Sequence, residues 1–148
     1  AREGIDPTYI SIEITEGVLL QESISNQDVI NELVKIGFSL SIDDFGTGYS
    51  NLTYLRRLAV DRIKIDRSFV MDLVNSEGTR NTRATPLVEA MVFMAKTLGI
   101  GTLAEGVETE AQAEVLRDLG CEAFQGYLFG KPATLQETSD DQGTQSVG

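Results

Sequence analysis

The chain has no histidine and a single cysteine, Cys121, among its 148 residues. Without histidine there is no Ser-His-Asp or Cys-His catalysis and no imidazole-ligated metal. One cysteine allows no internal disulfide and no cysteine-based zinc site, a usage that suits a reducing compartment. Any metal must be held by oxygen, which favours magnesium, calcium or manganese. Cationic residues are scarce: 12 lysines and arginines stand against 23 aspartates and glutamates, a formal charge of −11. Binders of duplex nucleic acid are normally basic, so that class is set aside. A phosphate-bearing substrate would need cations to offset the protein's own charge. No run approaches the ~20 apolar residues that span a bilayer. No signal peptide is visible, because Ala1-Arg2-Glu3-Gly4 is polar and no apolar core follows it. Nor is there an initiator methionine, so we expect a piece of something longer.

What is present is a globular composition, 41% apolar, in a length that supports one domain with a sizeable core. The chain is organised around 39–50, Ser-Leu-Ser-Ile-Asp-Asp-Phe-Gly-Thr-Gly-Tyr-Ser. It begins as a strand, with Leu40 and Ile42 on one face and Ser39, Ser41 and Asp43 on the other. It ends in two adjacent carboxylates and a loop containing Gly46 and Gly48. Neighbouring carboxylates repel unless something positive lies between them, and a divalent cation meets that need. A solvated Asp-Gly turn is the plainer alternative.

Taken in order, 9–15 alternates as a strand, with Ile10, Ile12 and Ile14 opposite Ser11, Glu13 and Thr15. A helix is predicted over 25–36, capped by Ser25 and stopped by Gly37. Leu52, Leu55 and Leu58 mark a short helix with Arg56 and Arg57 exposed. Residues 62–66 form a strand, Ile63 and Ile65 opposite Lys64 and Asp66. The polar stretch 75–85 reads as a mobile loop. Pro86 opens a helix to Leu98, with Leu87, Met91, Met94, Ala95 and Leu98 inward. A strand over 101–107, a Thr109-capped helix over 110–119 and a strand over 121–129 complete the core. The tail 134–148 is polar and is expected to be disordered, beyond one domain over 1–133.

Strict strand–helix alternation implies a parallel α/β sheet, doubly wound or a (β/α) barrel. An open doubly wound sheet is apolar on both faces. Here three strands carry small or charged residues on one face, which suits the mouth of a barrel, where functional residues sit at the carboxyl ends of strands. Glu13, Asp43, Lys64 and Glu105 all fall late in their strands. Buried carboxylates are costly unless paired or metal-bound, so Glu13 and Asp43 are candidate ligands. Asp44 can join them only if the strand end bends. Lys64 either pairs with Asp66 or offsets charge on a transferring phosphoryl group. Glu105 suits a ligand or a general base. Glu16 could touch metal or brace the loop. Glu108 could cap the next helix, and Gln125 could belong to a polar network or to the site. Gly46 and Gly48 do not form a P-loop, since no Gly-Lys-Ser/Thr follows.

Together the runs Glu13-Ile14-Thr15-Glu16, Asp43-Asp44-Phe45-Gly46-Thr47-Gly48-Tyr49-Ser50, Ile63-Lys64-Ile65-Asp66, Ala104-Glu105-Gly106-Val107-Glu108-Thr109, Gln125-Gly126-Tyr127 and Gly130-Lys131-Pro132 resemble the second half of an EAL domain. This is the bacterial cyclic di-GMP phosphodiesterase family. The resemblance implies the carboxyl-terminal half of a TIM-like barrel and hydrolysis of cyclic di-GMP to linear pGpG. It implies two ions, Mg2+ or Mn2+, with Glu13 and Asp43 at the first and Asp43, Asp44 and Glu105 at the second. Lys64 would position the attacking water, Glu105 is ligand or base, and Gln125 supports the site. Glu16 would brace the loop Asp43–Ser50, with Gly46, Thr47 and Gly48 in it, which couples dimerisation and substrate to metal binding. The resemblance further implies a homodimer, attachment to upstream sensory or GGDEF-type domains, and a cytoplasmic location. The family's Glu-Ala-Leu motif and a ligating asparagine, which precede these motifs, are absent, and Asn51 stands where serine is frequent. A catalytically inactive cyclic di-GMP-binding module is the alternative.

Overall fold

Alternating isoleucines at 12 and 14 and again at 63 and 65 lie in two strands, and the structure builds a sheet around them. The computed structural model describes residues 4–19, 24–48, 55 and 58–132. The strands are β1 (Ser11–Thr15), β2 (Ser39–Phe45), β3 (Arg62–Ile65), β4 (Gly101–Glu105) and β5 (Ala123–Gln125). All neighbouring pairs are parallel, and the spatial order is β1-β2-β3-β4-β5. The helices are α1 (Glu16–Leu19), α2 (Ile24–Ile36), α3 (Arg67–Met71), α4 (Thr85–Leu98) and α5 (Glu110–Asp118). A doubly wound sheet reverses its order at a switch point. This one advances by one strand at each step, as the wall of a (β/α) barrel does.

The two faces of the sheet differ as the alternation requires. Leu40, Ile42, Ile63, Ile65 and Ala104 share the helix-facing side, each at most 1% exposed. They join Val88, Met91, Val92 and Ala95 of α4 and Ala113 and Leu116 of α5 in one core. The opposite side carries Ser11, Glu13, Ser41, Lys64, Glu105 and Gln125. There Ser11 and Ser41 meet through their hydroxyls at 2.9 Å. Burying one face only leaves the other free to hold polar groups.

Four expectations are corrected. Helix α4 turns only part of the expected stripe inward: Met91 and Ala95 are buried and Met94 packs on the core, but Leu87 and Leu98 are 51% and 37% exposed while Val88 and Val92 are buried. Its sequence is apolar around most of its circumference, so periodicity admits two overlapping stripes and the sheet selects one. The stretch 75–85 carries local turn structure rather than none: Asn75 Oδ1 accepts from the N–H groups of Glu77 and Thr79, and Val74 bridges Arg80. Helix α3 was not expected. The last strand is shorter than 121–129, because the chain turns under Val107 at Gly126, where a Cβ would collide with the Val107 backbone. The Ser25 cap, most of the 52–58 helix with Arg56 and Arg57, Asn51 and the 134–148 tail lie outside the described residues or side chains. Leu55 and Leu58 are buried.

Candidate metal centre

The site forms where the sheet's pairing slips. Ile42 pairs with Ile63 and Phe45 with Ile65, so Asp43 and Asp44 together span the length that Lys64 spans alone. This is a β-bulge, two residues opposite one. Asp44 adopts the left-handed conformation, φ 53°, unusual for a residue other than glycine. Strict alternation would turn Asp44 to the opposite face from Asp43. The bulge instead lets both carboxylates serve one cluster.

Asp43, Asp44 and Glu105 each offer a ligand oxygen, all within 4.8 Å of one another. Glu105 arrives from the last residue of β4, opposite Gln125. Lys64 reaches the same place from β3, its side chain 8% exposed, with Nζ 2.8 Å from Glu13, 2.9 Å from Asp43 and 2.8 Å from Glu105. Burial pushes the ammonium's pKa down. The carboxylates of Glu105, Glu13 and Asp43 that it touches, Glu105 first, outweigh this and hold it above the ordinary lysine range. Lys64 is therefore a fixed cation.

The donor set fits a hard divalent ion: carboxylate oxygens converge and one is poorly satisfied. Asp43 Oδ1 is buried and, despite Lys64 at 2.9 Å, has no well-angled hydrogen bond. Glu13 is brought to Lys64 and its side chain is 49% exposed, so it stands at the rim of the cluster.

The loop after β2 is tied down from beneath. Glu16, 4% exposed, accepts from the N–H groups of Gly46 and Gly48, both at 3.1 Å. Thr47 donates its hydroxyl to the Asp44 carbonyl at 2.8 Å. Gly46 has φ 98°, and a Cβ there would strike Met91 and Phe69. Only a glycine meets both demands.

Two roles differ from expectation. Asp66 does not pair with Lys64. It caps α3, accepting from the N–H of Ser68 at 3.0 Å and from the Ser68 hydroxyl. Glu108 accepts an ion pair from Arg67 at 2.6 Å, while its N–H donates to Gln112, part of the capping of α5. Sequence reasoning gave Arg67 no role. Its signal was Gly106, φ 68°, where a Cβ would strike the Arg67 stem.

Among the described residues, a parallel (β/α) wall with a carboxylate cluster at its strand ends defines a barrel-type domain whose cluster could hold a cation through oxygen ligands. The EAL domain family model matches residues 1–132, and the chain belongs to the EAL domain family. The bifunctional diguanylate cyclase/cyclic di-GMP phosphodiesterase MucR of Pseudomonas aeruginosa is 38% identical over 136 residues, which cover 92% of this chain and 19% of MucR. The cyclic di-GMP phosphodiesterase NbdA of the same organism is 43% identical over 132 residues, 89% of this chain and 16% of NbdA. The chain thus spans about a fifth of these relatives. Among solved structures, the MucR phosphodiesterase in complex with c-di-GMP superposes with a TM-score of 0.84 at 38% identity, covering 93% of this chain and 53% of that one. The manganese and c-di-GMP complex of Klebsiella pneumoniae BlrP1 gives 0.79 at 35% identity, covering 89% and 32%.

Proposed function

We propose that this chain is the carboxyl-terminal part of a cyclic di-GMP phosphodiesterase domain, which hydrolyses one phosphodiester to give linear pGpG. The observation that carries the reading is the convergence of Asp43, Asp44 and Glu105 within 4.8 Å beside a buried lysine. Asp43, Asp44 and Glu105 would hold divalent cation, Mg2+ or Mn2+, with Glu13 completing the set beside Asp43. When bound, a pair of such ions offsets the phosphate charge and supplies Lewis acidity to in-line displacement. Lys64 keeps its proton on Nζ and orients the attacking water. Glu105 serves as ligand and as the acceptor of that water's proton, and Gln125 supports it across the β4–β5 pair. Glu16, Gly46, Thr47 and Gly48 hold the loop that follows Asp44.

The domain acts in the cytoplasm of a larger bacterial signalling protein, joined to sensory or GGDEF-type domains, and pairs with a second copy. Support for pairing comes from α4, where Leu87, Phe93 and Leu98 are 51%, 71% and 37% exposed. No helix among the described residues is long and apolar enough to cross a membrane.

The test is hydrolysis of cyclic di-GMP by the purified chain with Mg2+ or Mn2+. Turnover that disappears in Asp43→Asn supports the assignment. A folded chain that binds the dinucleotide without cleaving it overturns the catalytic part and leaves a binding module.

A further inference from the structure

We propose that Arg67, held by Glu108, reads the guanine base next to the scissile phosphodiester. The inference rests on the reading of the acidic cluster as a cyclic di-GMP site and adds a specificity residue to it. A cleft of about 250 Å³ is lined by Arg67, Glu105, Gly106, Glu108, Gln125 and Tyr127. It meets the acidic cluster at Glu105, which belongs to both. Whole-ligand pockets usually measure roughly 300–1,000 Å³. This cleft is therefore sized for one base rather than for a dinucleotide.

Its chemistry selects among bases. The stem of Arg67 lies over Gly106, in space that any Cβ at that position would fill. At the far end, Arg67 Nη2 donates to Glu108 Oε1 at 2.6 Å. Anchored at both points, the guanidinium is oriented before a ligand arrives, which lowers the entropy lost on binding. The pair presents spare guanidinium donors beside a carboxylate acceptor. Guanine's Watson–Crick edge carries the complement: O6 accepts, while N1–H and N2–H donate side by side. Adenine lacks the N2 amine and the N1 proton, so it leaves the carboxylate short of a donor. Tyr127, 58% exposed in the same cleft, offers a ring for the base to stack on.

A plain surface ion pair is the competing explanation. The two side chains are 54% and 35% exposed, and such pairs add little to stability. Changing them should therefore leave folding intact and make recognition separable.

The experiment is equilibrium binding of cyclic di-GMP and cyclic di-AMP to the full chain by calorimetry. Calcium is the cation, as in a solved BlrP1 complex. The wild type is expected to prefer cyclic di-GMP. In Arg67→Met that affinity falls about tenfold, cyclic di-AMP is unaffected and the preference collapses. Glu108→Gln moves the same way, and Arg67→Lys, which keeps the charge but loses the fork, recovers only part. Mn2+ binding and the melting temperature stay unchanged in all three. If Arg67→Met keeps the wild-type preference, the inference is overturned and the phosphodiesterase reading stands. If the wild type binds Mn2+ but neither dinucleotide, the phosphodiesterase reading falls and takes the inference with it.

Discussion

The ammonium of Lys64 touches Glu13, Asp43 and Glu105 within 2.9 Å, so one side chain offsets charge on three. Removing it would leave those carboxylates, and Asp44 beside them, repelling one another. Breaking a fully buried ion pair costs about 3–5 kcal/mol. Glu13 is half exposed, so water recovers part of the loss, and Lys64→Met should cost about 2 kcal/mol in chelator. Added Mn2+ should then raise the melting temperature more in the variant than in the wild type, because the ion relieves the same repulsion. Denaturation scans with EDTA and with Mn2+ check this. An unchanged melting temperature in EDTA would mean that Lys64 is not the counter-ion the distances describe.

At the scale of elements, α3 is a helix of five residues whose start depends on Asp66. Its carboxylate pKa is lowered, chiefly by the Ser68 hydroxyl; burial pushes it up, and the backbone N–H groups of Ser68 and Arg67 lower it further. A carboxylate whose folded pKa lies below its ordinary 3.8 adds stability that is complete above that value. The contribution fades as the pH falls through the lower, folded value. Asp66→Asn keeps a neutral cap but has no charge to lose. Chemical denaturation from pH 6 down to pH 3 should therefore show wild type above variant at the top of the range, with the gap closing at the bottom. A constant gap would mean that hydrogen-bond geometry, not charge, makes the cap. The helix matters to the site because it begins with Arg67 and sets Phe69 against Gly46.

For the whole molecule the issue is uncovered surface. Among the described residues, β1 and β5 are the outer strands of an unclosed sheet. Unpaired strand edges invite association. Apolar residues of α4 add a second surface. We expect a mass above 16.1 kDa in size-exclusion chromatography with light scattering, rising with concentration. Phe93→Lys, on the exposed side of α4, distinguishes the two surfaces. Return to a monomer would identify the helix face as the contact, and an unaltered mass would identify the strand edges. A monomer at every concentration in the wild type would discount both.

The sequence by itself determined the parallel α/β class and the candidate site residues. Alternation at Ile12, Ile14, Ile63 and Ile65 has a period that only a strand satisfies, and ordered motifs placed Glu13, Asp43, Lys64 and Glu105 at strand ends. Absent histidine limited any metal to oxygen ligands before a fold was known. Other features depended on contacts between residues far apart in the chain. The one-step strand order excluded double winding, which alternation alone could not do. The bulge that brings Asp44 beside Asp43 depends on how β2 slips past β3, a relation between two strands. Asp66 turned from Lys64 to Ser68, since a strand end and a helix cap look alike until the next helix is present. The inward stripe of α4 was settled by the sheet beneath it, because an apolar helix has no preferred face until something packs against it.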